Sequence, residues 1–239
     1  MDSEFKLPKF FVSAMEKIFI LHAECDQGPS TTAVRIAGSS LANPFAAISA
    51  GIGSLWGPQH GGAAEECVNT FKRLGSKDKI PEFLEKCKKD KETRLWGFGH
   101  RVFKNYDPRA KILKDLIRDF NMQLGVKNDE LFEIALEIER QALGDEYFIK
   151  RNLYPNLDFY SGLLLKNLYI PQNMYNVIFA ITRSIGWISH WKEMMGAQAI
   201  KIYRPRQIYV GQKARKFVKI EDREPAPGFY LKSYKNLNK

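Results

Sequence analysis

Apolar residues recur at helical spacing along almost the whole of this 239-residue chain. The clearest run follows Asp107-Pro108, a pair suited to the N-cap and first turn of a helix, and consists of Ile112, Leu113, Leu116, Ile117 and Phe120. The same spacing predicts helices near residues 8–23, 30–40, 44–56, 62–74, 108–122, 129–143, 158–167 and 172–193. The predicted fold class is therefore all-α.

Three segments depart from that pattern. Residues 76–94 are rich in lysine and acidic residues, which favours a solvated helix with loops. Residues 201–210 look extended, although Pro205 argues against a central strand. The tail after Glu221 contains Pro225 and Pro227 and is expected to be an irregular arm.

The longest predicted helix, 172–193, is amphipathic. One face carries an apolar stripe that we interpret as core, made of Met174, Val177, Ile178, Ile181, Ile185 and Ile188. Arg183, Gly186 and His190 fall on a different face, so Arg183 is available to a functional site.

Composition indicates a globular, soluble protein, since 44% of the residues are hydrophobic and 27% are charged. The net charge of +10 favours acidic partners. Lysine and arginine are nevertheless spread along the chain without a nucleic-acid-binding motif, so no nucleic-acid partner is predicted. The small-residue segment 41–57 contains Asn43 and Pro44 and is short for a membrane span, so no membrane insertion is predicted.

Cys25, Cys67 and Cys87 lack Cys-x-x-Cys spacing, which indicates free thiols in a reducing compartment. His22-x-x-Cys25 has the spacing of half a metal site, but no second pair of soft ligands follows it, so no metal is predicted. We expect a cytoplasmic location, with the mitochondrial matrix as the alternative.

One loop places a histidine between flexible residues and an arginine in the first turn of the following helix. In GFGHRVFKNYDPR these residues are His100 and Arg109. Free N–H groups at a helix start attract carboxylates, so the pair is suited to binding and polarising an anion. The alternative is a capped helix with a surface histidine and arginine.

Two further segments add groups of the same kind. His60 lies in a turn broken by glycine and proline, and Asp158 is a lone carboxylate among aromatic residues. Each also has a structural interpretation as a helix cap or packing partner. Together with Arg109 and Arg183 they provide what carbon–carbon bond formation on a dicarboxylate requires.

These segments resemble the C-terminal half of citrate synthase. The matching stretches run in family order from about Ile18 to about Ile220 and include LHAECDQGPSTTAVRIAGSSLANPFAAISAGIGSLWGPQHGGA, GFGHRVFKNYDPRAK, DEYFIKRNLYPNLDFYSGLLLK, VIFAITRSIGWISHWKEM and RPRQIYVG. Several motifs at the right separations are specific, whereas GFGH alone is weak.

The resemblance implies a reaction in which acetyl-CoA, oxaloacetate and water give citrate and CoA. In the family pattern Asp158 is the base that removes a methyl proton, and His60 donates a hydrogen bond to the enol. His100 polarises the oxaloacetate carbonyl and protonates it. Water then hydrolyses citryl-CoA.

Binding residues follow from the same resemblance. Arg109, Arg183 and Arg204 match carboxylate clamps, the last reaching across a dimer interface. The helix end with His22 and Cys25 is expected at the substrate, and coenzyme A is assigned to Gly97, Phe98, Gly99 and Lys104. No permanently bound cofactor is implied. The expected partners are the two substrates and a second copy of the chain, a companion chain, or both.

Two departures from the family bear on activity. Cys25 stands where the family carries a histidine that contacts oxaloacetate, and a thiol is a weak donor, so we expect affinity to fall by ~1–3 kcal/mol. Met1 lies just upstream of the first matching helix. We therefore expect the large domain to be incomplete in this chain and its exposed apolar faces to need a partner.

The expected organisation is large-domain helices in residues 1–57, a small domain in 58–165, and a return to the large domain with an arm in 166–239. Two functions remain open: a citrate synthase half, or a catalytically impaired subunit with a structural role in a larger assembly. Methylcitrate synthase is a third possibility within the same chemistry, because the sequence does not distinguish acetyl from propionyl substrates.

Overall fold

A computed structural model describes residues 7–198, 200–210, 214 and 216–223. Its α-helices are α1 Lys9–Ala23, α2 Pro29–Gly38, α3 Pro44–Leu55, α4 Ala63–Leu74, α5 Ile80–Lys89, α6 Pro108–Gln123, α7 Glu130–Leu143, α8 Glu146–Lys150, α9 Leu157–Asn167 and α10 Tyr175–Met195. Short 3₁₀ helices occupy Lys77–Lys79, Gln172–Met174 and Ile220–Asp222. The predicted all-α class is confirmed: the described ranges contain no strand, and only an isolated bridge joins Phe98 to Pro155.

Side-chain caps begin several of these helices where the sequence predicts them. Asn43 Oδ1 accepts the N–H of Ala46 at 2.9 Å, and Asp107 Oδ1 accepts that of Arg109 at 2.9 Å. Each cap satisfies an N–H that has no partner within its own helix. Helix α8 was not predicted, because a helix this short has too few residues for a periodic pattern to stand out.

Two groups of buried side chains form the core. The larger lies among α1, α4, α5, α6, α7 and α9, and α9 is its centre because Leu157 and all residues of 159–165 are buried. The smaller joins α2, α3 and α10 and consists of Val34, Ala47, Leu55, Phe179 and Trp187. Asp158 thus lies in the first turn of a helix that is surrounded by other buried side chains.

The apolar stripe predicted as core on α10 is wrong for four of its six residues, whereas Ile178 and Ile188 are half-buried and Ile178 packs against the larger core group. Met174, Val177, Ile181 and Ile185 are 40–59% exposed. The opposite face is buried instead, because Gly186 allows α10 to approach the end of α1: a Cβ there would lie 2.3 Å from the carbonyl oxygen of Ala23. Close backbone packing, rather than the stripe, decides which face of α10 turns inward.

The described residues up to Tyr203 form one compact unit, and those from Arg204 onward form a second. Residues 200–210 have neither helix nor strand, so the predicted extended segment makes no sheet. Of the predicted irregular arm, only Asp222 and Arg223 lie within the described residues. The domain boundaries after residues 57 and 165 stay predictions.

Two neighbouring apolar residues on α6 differ in burial. Leu113 is fully buried, whereas Ile112 is 46% exposed. We expect Leu113→Ala to lower the free energy of unfolding by about 2–5 kcal/mol, because it leaves a cavity, and Ile112→Ala to lower it by less than about 1 kcal/mol. Urea unfolding of the two variants checks this, and equal losses would contradict the packing of α6.

Candidate functional site

A cavity of about 760 Å³ opens within the first unit, where the turns before α2 and α4 face the loop before α6 and the starts of α6 and α9. It is lined by predicted site residues from six separate segments: Cys25, His60, Gly97, Phe98, Gly99, His100, Arg109, Asp158 and Arg183. The expected convergence of His60, His100 and Asp158 is therefore observed, although the residues are far apart in sequence.

Two other predicted binding residues of the first unit, His22 and Lys104, are not part of the cavity lining. The His22 ring is buried, donates from Nδ1 to the Ile18 carbonyl at 2.9 Å and packs edge-on against Phe179, so it does not line the cavity. Lys104 is exposed and donates to the Arg101 carbonyl at 3.1 Å. Arg204 is exposed in the second unit.

The loop that carries His100 is joined to the segment that carries Asp158. Gly99 N–H donates to the Tyr154 carbonyl, and both the backbone N–H and the side-chain amide of Asn156 donate to carbonyls of the loop, each at 2.8 Å. Gly97 has φ +75°, and a Cβ there would lie 2.7 Å from Phe159. Only glycine fits this close approach, so the two segments are packed directly against each other.

His100 is held as a neutral donor. Its Nδ1 accepts the N–H groups of Val102 and Phe103, both at 3.1 Å, so this nitrogen carries no proton. Burial and the nearby Arg109 lower the pKa of His100. The single ring proton of the neutral imidazole therefore sits on Nε2, 3.5 Å from the Arg109 guanidinium.

His60 is also neutral. Burial, with a smaller effect of Arg183, lowers its pKa to about 4. Its Nε2 lies 2.8 Å from the buried hydroxyl of Ser30, and its ring packs edge-on against Phe179. The other ring nitrogen, Nδ1, has no partner among the described residues and is the one available to a ligand.

Asp158 is an unusually basic carboxylate. Burial raises its pKa to about 6, although Arg109 and Arg183 act in the opposite direction. Its backbone N–H is capped by Asn156 at 3.0 Å, and no donor in the described part of the chain hydrogen-bonds to its carboxylate. This group is suited to accepting a proton near neutral pH.

The two arginines, half-buried Arg109 and buried Arg183, are fixed by different partners. Arg109 donates from Nε and Nη2 to the carboxylate of Asp107, at 3.1 and 2.8 Å. Arg183 donates from Nε to the His22 carbonyl at 2.7 Å and stacks over Phe179. No ion pair of Arg183 is found within the described ranges, so its guanidinium is available to a carboxylate in the cavity.

Sequence reasoning missed several lining residues. Arg94 and Arg101 add positive charge, and Trp96 adds an aromatic ring with the Arg94 guanidinium 4.9 Å from its centre. The signal was present, since Arg94-Leu95-Trp96 directly precedes GFGH. Among the described residues no group of three or more His, Cys, Asp and Glu side chains is placed to hold a metal.

The raised pKa of Asp158 predicts a pH-dependent cost of folding. With an unfolded value near 4 and a folded value of about 6, the folded state binds more protons, so stability falls as pH rises from about 4 to about 6. Asp158→Asn removes this cost. Relative to wild type, we expect the variant to gain on the order of 2 kcal/mol between pH 4 and pH 7.5 in urea unfolding.

The exposed carboxylate of Asp119 on α6 provides the matched control, Asp119→Asn. A difference between Asp158→Asn and wild type that does not change with pH would show that the Asp158 carboxyl titrates normally.

Comparison with known proteins agrees with this geometry. A family model described as citrate synthase, C-terminal domain, matches residues 3–206. Similar solved structures are the citrate synthases of Pyrobaculum aerophilum (36% identity, TM-score 0.79), Thermotoga maritima (37%, 0.80) and Thermoplasma acidophilum (35%, 0.82). The last was solved as a ternary complex with carboxymethyl coenzyme A and oxaloacetate.

The matches cover 93%, 90% and 91% of this chain but 54%, 57% and 57% of the respective structures. The chain thus spans little more than half the length of these relatives. The length of the family match and the level of identity place the chain in the citrate synthase family.

Proposed function

We propose that this chain carries the acid–base centre of a citrate synthase, which condenses acetyl-CoA with oxaloacetate and water to give citrate and CoA. The observation that supports this most is the meeting of Asp158 with two neutral imidazoles, His60 and His100, in a cavity that also contains Arg109 and Arg183. The Thermoplasma acidophilum relative was solved with oxaloacetate and a coenzyme A analogue.

The first step is removal of a methyl proton from the thioester. Asp158 is the base, and its raised pKa increases its proton affinity at neutral pH. His60 donates from Nδ1 to the thioester oxygen as negative charge develops there, since its Nε2 is engaged with Ser30. The two groups act on the same substrate from different segments of the cavity.

The second step joins the enol carbon to the ketone carbon of oxaloacetate. His100 donates from Nε2 to the ketone oxygen and gives it a proton as the bond forms. Arg109 and Arg183 bind carboxylates of oxaloacetate, and Asp107 keeps Arg109 oriented. Water hydrolyses the resulting citryl thioester.

Coenzyme A is assigned to the side of the cavity formed by Gly97, Phe98 and Gly99, with Lys104 nearby in sequence. Arg94 and Trp96 extend the lining with a cation and an aromatic ring, which suit a phosphate and a purine. The coenzyme is a substrate in this proposal, not a resident cofactor.

The proposed active form is an assembly of more than one chain. Helix α3 contains no charged residue and exposes one continuous stripe made of Phe45, Ala46, Ser49, Ile52, Gly53 and Trp56. An uncharged helix face of this kind is typical of a protein interface. A second copy or a companion chain covers the stripe. As the family resemblance implies, Arg204 is proposed to reach across a dimer interface. In the part of the chain described, no helix is long and apolar enough to cross a membrane.

A specific observation favours a second function. Cys25 lines the same cavity as Arg109 and Arg183, at the position where the family carries a histidine, so substrate binding is weakened. The chain also spans little more than half the length of its relatives. Both observations favour a structural role in a larger citrate synthase assembly.

Asp158→Asn tests the proposed reaction. In the native assembly we expect at least a hundredfold loss of oxaloacetate-dependent thiol release from acetyl-CoA, because the amide keeps the shape but is no base. Asp119→Asn should keep wild-type activity. Unchanged activity of Asp158→Asn would exclude the mechanism, and an inactive wild-type assembly would favour the structural role.

Cys25→His tests the weakened pocket. The added ring donor is expected to lower the KM for oxaloacetate by about 5- to 150-fold, equivalent to ~1–3 kcal/mol, while kcat changes little. Cys25→Ser keeps a small neutral group and should leave the KM close to wild type. Steady-state kinetics of the native assembly measures both, and equal KM values for all three proteins would show that this position does not contact substrate.

A further inference from the structure

A buried tryptophan on α10 is linked by hydrogen bonds to His60. The indole Nε1 of Trp187 lies 3.2 Å from Ser30 Oγ, and the same Oγ lies 2.8 Å from His60 Nε2. Trp187 and Ser30 are both fully buried. The three side chains therefore form a line that leads from the smaller core cluster to the cavity.

The protons in this line can be assigned by elimination. An indole N–H only donates, so Ser30 Oγ accepts from Trp187. The serine hydroxyl has one proton, and among the described residues its hydrogen-bonding neighbours are Trp187 and His60. Donation from His60 to Ser30 would leave that buried proton without an acceptor, which is unfavourable. Ser30 therefore donates to His60 Nε2.

This direction determines the tautomer of His60. The neutral ring has a single proton, and because Nε2 accepts, the proton is on Nδ1, the nitrogen without a protein partner. With the opposite tautomer, a bare Nδ1 would repel a developing oxyanion.

We propose that Trp187 is a positioning residue that fixes the tautomer of His60 by directing the proton of Ser30 toward Nε2. The indole is itself fully buried and closely packed, since a Cβ on Gly51 would lie 3.2 Å from its ring. Because the Trp187 N–H donates to Ser30 Oγ from one side, the serine hydroxyl has one favourable orientation, in which its proton points to His60 Nε2. The positioning role rests on the proposed function, whereas the tautomer does not.

The test measures the tautomer directly. In the purified chain labelled with ¹⁵N-histidine, long-range ¹H–¹⁵N correlations distinguish a protonated from a bare ring nitrogen, and His60→Gln assigns the His60 signals among the four histidines. We expect the proton on Nδ1 in wild type. In Trp187→Phe, which keeps a ring but removes the donor, the population should shift roughly fivefold toward Nε2–H, the factor that one net hydrogen bond provides.

Trp191→Phe is the matched control. Trp191 lies one turn further along α10, and its Nε1 donates to the Ala42 carbonyl at 3.2 Å, outside the cavity lining. This variant makes the same chemical change and should leave the His60 signals unchanged. If Trp187→Phe does not fold, site-specific replacement of Trp187 alone by benzothienylalanine keeps the bicyclic shape and removes only the donor.

The outcomes separate this inference from the proposed function. An Nε2–H tautomer in wild type, or an unchanged tautomer after loss of the Trp187 donor, would overturn the inference. A shifted tautomer supports it, and a fall of kcat in the native assembly with little change of KM would extend the support to a positioning role. A shifted tautomer in an assembly whose wild type has no activity would refute the proposed function while leaving the tautomer assignment intact.

Discussion

The buried carboxylate of Asp107 holds the site together. Its Oδ1 caps α6 and pairs with Arg109, and its Oδ2 accepts both Arg109 Nη2 and, at 3.2 Å, the backbone N–H of Leu157 at the start of α9. Asp107 is only 1% exposed, so each of these bonds is made in a low-dielectric setting where an unpaired charge would be costly. One side chain thereby fixes the substrate-facing arginine relative to the first turn that carries Asp158.

Burial and the positive charge of the arginines both lower the pKa of His60 and His100, whereas at Asp158 the two effects oppose each other. Burial makes His60 and His100 poor bases and Asp158 a better one, so the protonation states of the three groups near neutral pH are set by desolvation before any ligand arrives. Arg109 and Arg183 reduce the rise in the pKa of Asp158, and their positive charge favours the binding of anions in the cavity. An uncharged imidazole beside a guanidinium is suited to hydrogen-bond donation without adding a further positive charge.

Sequence alone predicted most of the helices, because caps such as Asn43 and the spacing of apolar residues are local signals, and it predicted nine of the residues that line the cavity. It failed on α10, since periodicity identifies an apolar face but not what packs against it, and the close approach at Gly186 reversed the expected burial. Links such as Trp187–Ser30–His60 depend on helices distant in sequence meeting in space, which no local pattern encodes. The roles of the cavity residues remain predictions of the family resemblance.

The uncharged stripe of α3 has a thermodynamic consequence. Covering Phe45, Ile52 and Trp56, which are 82%, 48% and 79% exposed, releases ordered water and favours the folded chain over the unfolded one, which has no such surface to offer. By mass action, the melting temperature then rises with the concentration of the covering chain. In the proposed assembly, the free energy of unfolding therefore depends on the concentration of the partner, and a value measured on a dilute sample is its lower limit.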